Sequence, residues 1–386
     1  MKKYVMVLIL IGLLSCSAFA ALDEGLIDDY ARLYGEEIQD GIENVDSGDM
    51  GKALPAFDAE KLLTSAAKGE NLFSIKGLIL KVLELLFGEI KRTLRMLVII
   101  PVIAVLNTYL TGMQKNFRTK GAVSAAFFTC YAVMAGIAAA AFIETVKCGR
   151  GMVENVAVFM RALLPVSLAS VASSGAVVSA TSFEIVLISV IEISEFAVEK
   201  LFIPLVMMAA ALNIANNLSL LMNAEKLVQL INKFVKWGVG LLTTLFVGVT
   251  GLQGIAAGSA DGLAVKLTKF ATSNVVPMVG GILAETVETV MNCSVVIKNA
   301  VGVVGIIAVA IIAVIPLLKM TACLILFRVC AAVIQPISDE RYVKCLTQLG
   351  DSVSAVLAMA VAVVVMFVII LTIIINIGSA AVLLGR

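Results

Sequence analysis

The sequence predicts an all-α, polytopic membrane protein, with amphipathic helices in the interface and a multi-span helical domain. Three observations carry this. Hydrophobic residues make up 60% of the 386 and the mean hydropathy is +1.04, far above the apolar share of a soluble domain. Residues 238–257 hold no charge, and about 20 such residues are what a bilayer core requires. Just before them, Lys226, Gln229, Asn232, Lys233 and Lys236 recur at helical spacing on one face, while Leu227, Leu230, Ile231, Phe234 and Val235 fill the other. Trp237 closes that stretch at the depth an indole prefers. The unit reads as a surface helix, an interfacial aromatic, then a span.

Taken in order, the chain begins with Lys2 and Lys3, an apolar run over residues 4–14, and small residues at Ala18 and Ala20. Residues 1–20 therefore read as a cleaved secretory signal. Cys16 follows Leu13-Leu14-Ser15, which loosely resembles a lipoprotein box and leaves lipidation as the alternative. Residues 21–70 contain 13 acidic and 4 basic residues, a net −9 that leaves +10 for the rest of the chain. Behind a cleaved signal this acidic segment lies outside the cytoplasm, either as a solvated lead-in or as a partner-binding helical region. Over 71–95, Lys81, Glu84, Lys91, Arg92 and Arg95 keep helical spacing opposite Leu78, Val82, Leu85, Leu86 and Ile90, which predicts an amphipathic helix.

The multi-span domain then occupies 96–386. A first span at 96–113 is followed by Lys115, Arg118 and Lys120 with no acid, so that loop is cytoplasmic by the positive-inside rule. A second, rich in Ala and Gly, covers 121–146. Over 147–182 the charges Lys147, Arg150, Glu154 and Arg161, together with Pro165, predict a re-entrant or broken helix. Next, Glu184, Glu192, Glu195 and Glu199 fall within about 80° on a helical wheel. They line a water-filled path or, alternatively, sit in headgroup water on an interfacial helix. A span at 201–222 with an amide face (Asn213, Asn216, Asn217) comes before the unit already described.

Inside that unit Gly248, Gly251, Gly254 and Gly258 form a smooth strip for helix packing. Glu285 and Glu288 lie in the next apolar block, 275–297, as a candidate proton or ion pair or as partners of a neighbouring helix. Residues 300–337 exceed one span and are divided by Pro316 and Lys319, and 352–378 form the last span. About six to eight spans are expected in all.

Composition excludes several classes. Without histidine there is no imidazole base or zinc ligand. The 7 cysteines show no CxxC pair and read as small hydrophobes. No basic patch interleaved with aromatics points to nucleic acid. No cofactor, catalytic residue or metal ligand is expected; the expected partners are the lipid bilayer, other membrane proteins and further copies of the chain. An internal tandem repeat is also expected, over about 150–260 and 262–378, because AEKLV before the span at 238 is echoed by DERYV before the span at 352.

The strings GLQGIAAGSADG and SNVVPMVGG, and KNAVGVVGIIAVAIIAVIPLLKMTACLILFRVCAAVIQPISDERYVKCL at 298–346, resemble the stage III sporulation protein AE family of endospore-forming bacteria. The resemblance covers most of the chain after Tyr109, and the exported acidic segment matches in character. It implies a polytopic component of the complex joining mother cell and forespore, made in the mother cell and placed in the outer forespore membrane. It further implies a need for this protein in forespore gene expression, through a channel or secretion-like conduit. The family has no established catalytic or ligand-binding residues to carry over. The competing expectation is a stand-alone secondary transporter that uses Glu285, Glu288 or Glu192 for proton coupling.

Overall fold

The computed structural model describes residues 24–43, 59–68, 84, 87–91, 98–113, 120–218, 224–275 and 280–377. Of these, 95% are helical and none is in a strand. The expected signal at 1–20, the basic loop at 114–119 and most of 71–95 lie outside the described residues. The elements are α1 (Glu24–Glu43), α2 (Ala59–Ala67), α3 (Ile99–Met113), α4 (Lys120–Ser173), α5 (Val177–Phe196), a π-helical turn (Ala197–Phe202), α6 (Ile203–Leu218), α7 (Glu225–Val275), α8 (Gly280–Ile334) and α9 (Glu340–Asn376).

Several breaks expected from the sequence are absent. Pro165 does not interrupt α4, which runs 54 residues to Ser173, and Pro316 does not divide α8, which runs 55. A proline removes one helical hydrogen bond, but a helix gripped by neighbours on several sides keeps its axis. The chain over 147–182 is accordingly not broken at the proline. Its one interruption comes at Gly175, whose φ of 89° needs a residue without a Cβ. There the Ala176 amide donates to the Val171 carbonyl and the Gly175 amide to the Ala172 carbonyl, a Schellman ending that satisfies two orphan carbonyls of α4.

The amphipathic stretch before Trp237 is likewise continuous with its span inside α7. The segment holding the four glutamates and the span after it form one helical run, joined through the π turn. Among the described residues five helices are long and apolar enough to cross a bilayer, against six to eight spans expected over the whole chain, and α3 is a shorter apolar helix. Joining predicted spans end to end accounts for the lower number.

Helices α4, α8 and α9 pack on one another as a central trio. Helices α1 and α2 cover α4 and α8, whereas α5 packs on α4 and α7, and α7 also meets α6 and α9. At one end the Tyr342 ring meets Phe127 and Tyr131 edge-on at 5.6 Å, and Arg341 lies 5.3 Å over Phe127. Thr108 donates to the Ile337 carbonyl and Tyr131 to that of Ile214, so the end of α3, the start of α4, the end of α6 and the α8–α9 turn share this end. Asp339 caps α9 there by accepting from the Arg341 amide. The acidic segment is attached elsewhere: Gly41 of α1 abuts Ala162, and Tyr34, Ile38 and Leu63 are buried against the bundle.

Candidate functional site

Charges inside long apolar helices are costly unless paired or wet, and the seam between α4 and α5 brings them together. Two arginines that interrupt the apolar pattern of α4, Arg150 and Arg161, stand 11 positions apart, or about three helical turns. Antiparallel to them, α5 and its π turn present the glutamates. Arg161 donates to Glu192 at 2.6 Å and to Glu195 at 2.9 Å. Arg150 bonds Glu199, which also accepts from Lys200 at 3.0 Å. Each rung is thus a charge-assisted contact, and three cations face three carboxylates.

Exposure differs along this ladder. Glu195 and Glu199 retain 16% and 17% of their side-chain surface, against 56% for Glu192. The inner carboxylates therefore depend most on their arginines. Glu184 shares the flank, two turns toward the α4–α5 corner, and is exposed outside the ladder. Sequence spacing anticipates the common face of the glutamates but not its cationic partners. The signal lay in Arg150 and Arg161, which helical spacing across an antiparallel hairpin would have matched to Glu199 and Glu192.

Two of the four glycines expected to pack, Gly248 and Gly251, meet no other helix among the described residues. A Cβ added at Gly248 or Gly251 would meet open space. Gly254 and Gly258 in α7, and Glu285 and Glu288 in α8, have side-chain positions outside the described residues. The close approaches belong instead to glycines the sequence reading passed over. A Cβ at Gly305 would come within 2.6 Å of Leu163 and 3.3 Å of Leu371, and one at Gly302 would overlap Ile375. At Gly149 it would lie 2.8 Å from Val356 and 3.0 Å from Met320. Glycine spaced by three in GVVG was the available sign.

Lys298 was also passed over. It is fully buried, and its ammonium donates to the Ile377 carbonyl at the end of α9, where a cation meets the negative pole of the helix. Among the described residues no group of three or more His, Cys, Asp or Glu is arranged to hold a metal ion. What the arrangement can do is lock helices together and keep charge at membrane depth.

Comparison with known proteins sets this architecture in a family. The chain is 26% identical over 336 residues to the stage III sporulation protein AE of Bacillus subtilis (strain 168), covering 87% of this chain and 84% of that one. No solved structure matches it. The family profile described as stage III sporulation protein AE matches residues 57–378, so this chain, a multi-pass membrane protein by its five apolar helices, belongs to the stage III sporulation protein AE family.

Proposed function

We propose that this chain is a membrane component of the channel or secretion-like complex between mother cell and forespore, needed for forespore gene expression during endospore formation. The observation that carries the reading is the family match over residues 57–378, which takes in all five of the described helices long and apolar enough to cross a membrane. Long helices locked by close glycine contacts and by ion pairs suit a scaffold that holds a passage.

An orientation goes with the proposal. The end carrying the α3–α4 connection, with Lys115, Arg118 and Lys120, faces the mother-cell cytoplasm. The acidic helix α1 leans on the other half of the bundle, at Ala162, with α2 beside it, which supports an exported N-terminal segment in the outer forespore membrane. There they are available to other membrane proteins of the complex and to sister copies. Deleting the gene in its own sporulating host tests the function. Late forespore reporters should fall silent after engulfment and heat-resistant spores should drop by orders of magnitude. Undiminished reporters and spore counts would reject the proposal.

A further inference from the structure

The long helices are pinned in register by named contacts. Gly149 meets Met320 and Val356, Gly305 meets Leu163 and Leu371, and Lys298 reaches Ile377. Gly238 lies against Phe202, and Gln253 donates to the Ser182 carbonyl. Between these levels α7 is uncharged over 238–260, α8 over 299–318 and α9 over 352–376. The three stretches lie side by side, and each is about one bilayer core in length.

At that same depth the two flanks of the bundle differ in kind. On one flank α1 turns Tyr34 and Ile38 inward and leaves Arg32, Glu36, Glu37 and Asp40 exposed. Gly41 places that helix on Ala162, next in sequence to Arg161 with its two glutamates, and Glu184 and Glu192 are exposed along the same flank of α5. On the other flank α7 exposes Leu252 at 72%, Leu245 at 57% and Val249 at 48%, and α5 beside it exposes Ile193 at 56%. No single solvent suits both. Acyl chains would strand the carboxylates of α1, and water would surround the bare apolar face of α5 and α7.

We infer that the bundle is laterally two-faced: the flank formed by α1, α4 and the acidic edge of α5 borders a water-filled space at bilayer depth, while the α5–α7 flank faces acyl chains. Ionisable groups within membranes normally face such water. The ladder of Arg150, Arg161 and their glutamates then forms part of a wet wall, which gives Glu184, Glu192, Glu195 and Glu199 their place along a passage. The inference rests on the membrane placement and does not require the sporulation complex proposed above, because its test reads exposure of the protein itself.

Single cysteines at Glu37→Cys, Glu184→Cys, Ile193→Cys and Leu252→Cys in the full-length chain test it. Membranes opened to both faces are treated with a charged, membrane-impermeant maleimide. The unmutated chain provides the background, and labelling after unfolding in detergent gives the total. Thiols in water ionise and meet the reagent, whereas thiols facing acyl chains do not, so the first two positions should react about tenfold or more faster than the last two. Equal reaction at all four would mean that this half stands clear of lipid, and would overturn the inference. Slow reaction at positions 37 and 184 would overturn it by showing that lipid or protein seals the acidic flank. Asp40→Cys and Leu245→Cys form a second pair should one of the first variants fail to reach the membrane.

Discussion

Helices α7 and α8 both carry glycines at three-residue spacing, yet the chain uses them in opposite ways. In α8, Gly302 and Gly305 lie where α4 and α9 come closest, and the side chains of Ile375, Leu163 and Leu371 occupy the space a Cβ would need. In α7, Gly248 and Gly251 look onto open space. A small residue allows close approach only if some other helix is there to approach. Gly302 and Gly305 therefore belong to the fold of one chain, whereas Gly248 and Gly251 are free for lipid or a neighbouring subunit.

The comparison breaks most sharply at Gly305. Gly305→Leu inserts four carbons against Leu163 and Leu371, and overpacking of this kind costs about 1–3 kcal/mol or more. Loss of monodisperse protein after detergent extraction, or a clearly lower thermal midpoint, is the expected result. A variant as stable as the parent would mean that the α4–α8–α9 contact is looser than described.

A middle-sized effect is expected at the α4–α5 seam, which is held by charge where the α8 seam is held by close approach. Arg161→Ala removes the partner of Glu195, and breaking a fully buried pair costs about 3–5 kcal/mol. Arg161 is only about two-thirds covered and Glu192 is largely exposed, so solvent screening brings the expectation down to about 1–2 kcal/mol. A double-mutant cycle with Glu195→Ala, read by thermal unfolding in detergent, should recover part of that loss. Strict additivity of the two losses would show that the pair is uncoupled.

The smallest effect is expected at Gly248→Leu and Gly251→Leu. Each should leave the stability of the isolated chain within about 0.5 kcal/mol, or raise it slightly, because glycine is the poorer helix former. If a neighbouring subunit uses this strip, the same variants should reduce co-purification of partners while the chain itself stays folded. A large loss of intrinsic stability would erase the contrast between α7 and α8.

Much of the fold was legible in the residues. Long uncharged runs, basic interfacial stretches and helical spacing follow from the solvation of the backbone and of charge, and both act locally along the chain. The same information misjudged where helices stop. Pro165 and Pro316 read as breaks because an isolated helix has nothing to offset the missing hydrogen bond, whereas each lies within a helix of more than 50 residues held by its neighbours. The common face of Glu192, Glu195 and Glu199 was also legible, since it depends only on the helical repeat. That Arg161 and Arg150 answer them was not, because their pairing depends on the turn at Gly175 and on the register in which α5 returns along α4.

The sequence by itself determined that this protein is helical and that lipid is the solvent for much of it, because transfer of apolar side chains and of charge is a property of each residue and its near neighbours. Only the tertiary structure decided which glycines touch another helix, which carboxylates find a cation, and which flank at one depth is charged. Those outcomes depend on pairs of residues from 31 positions apart, as between Arg161 and Glu192, to more than 200, as between Gly149 and Val356. Such pairs meet only after the helices have packed.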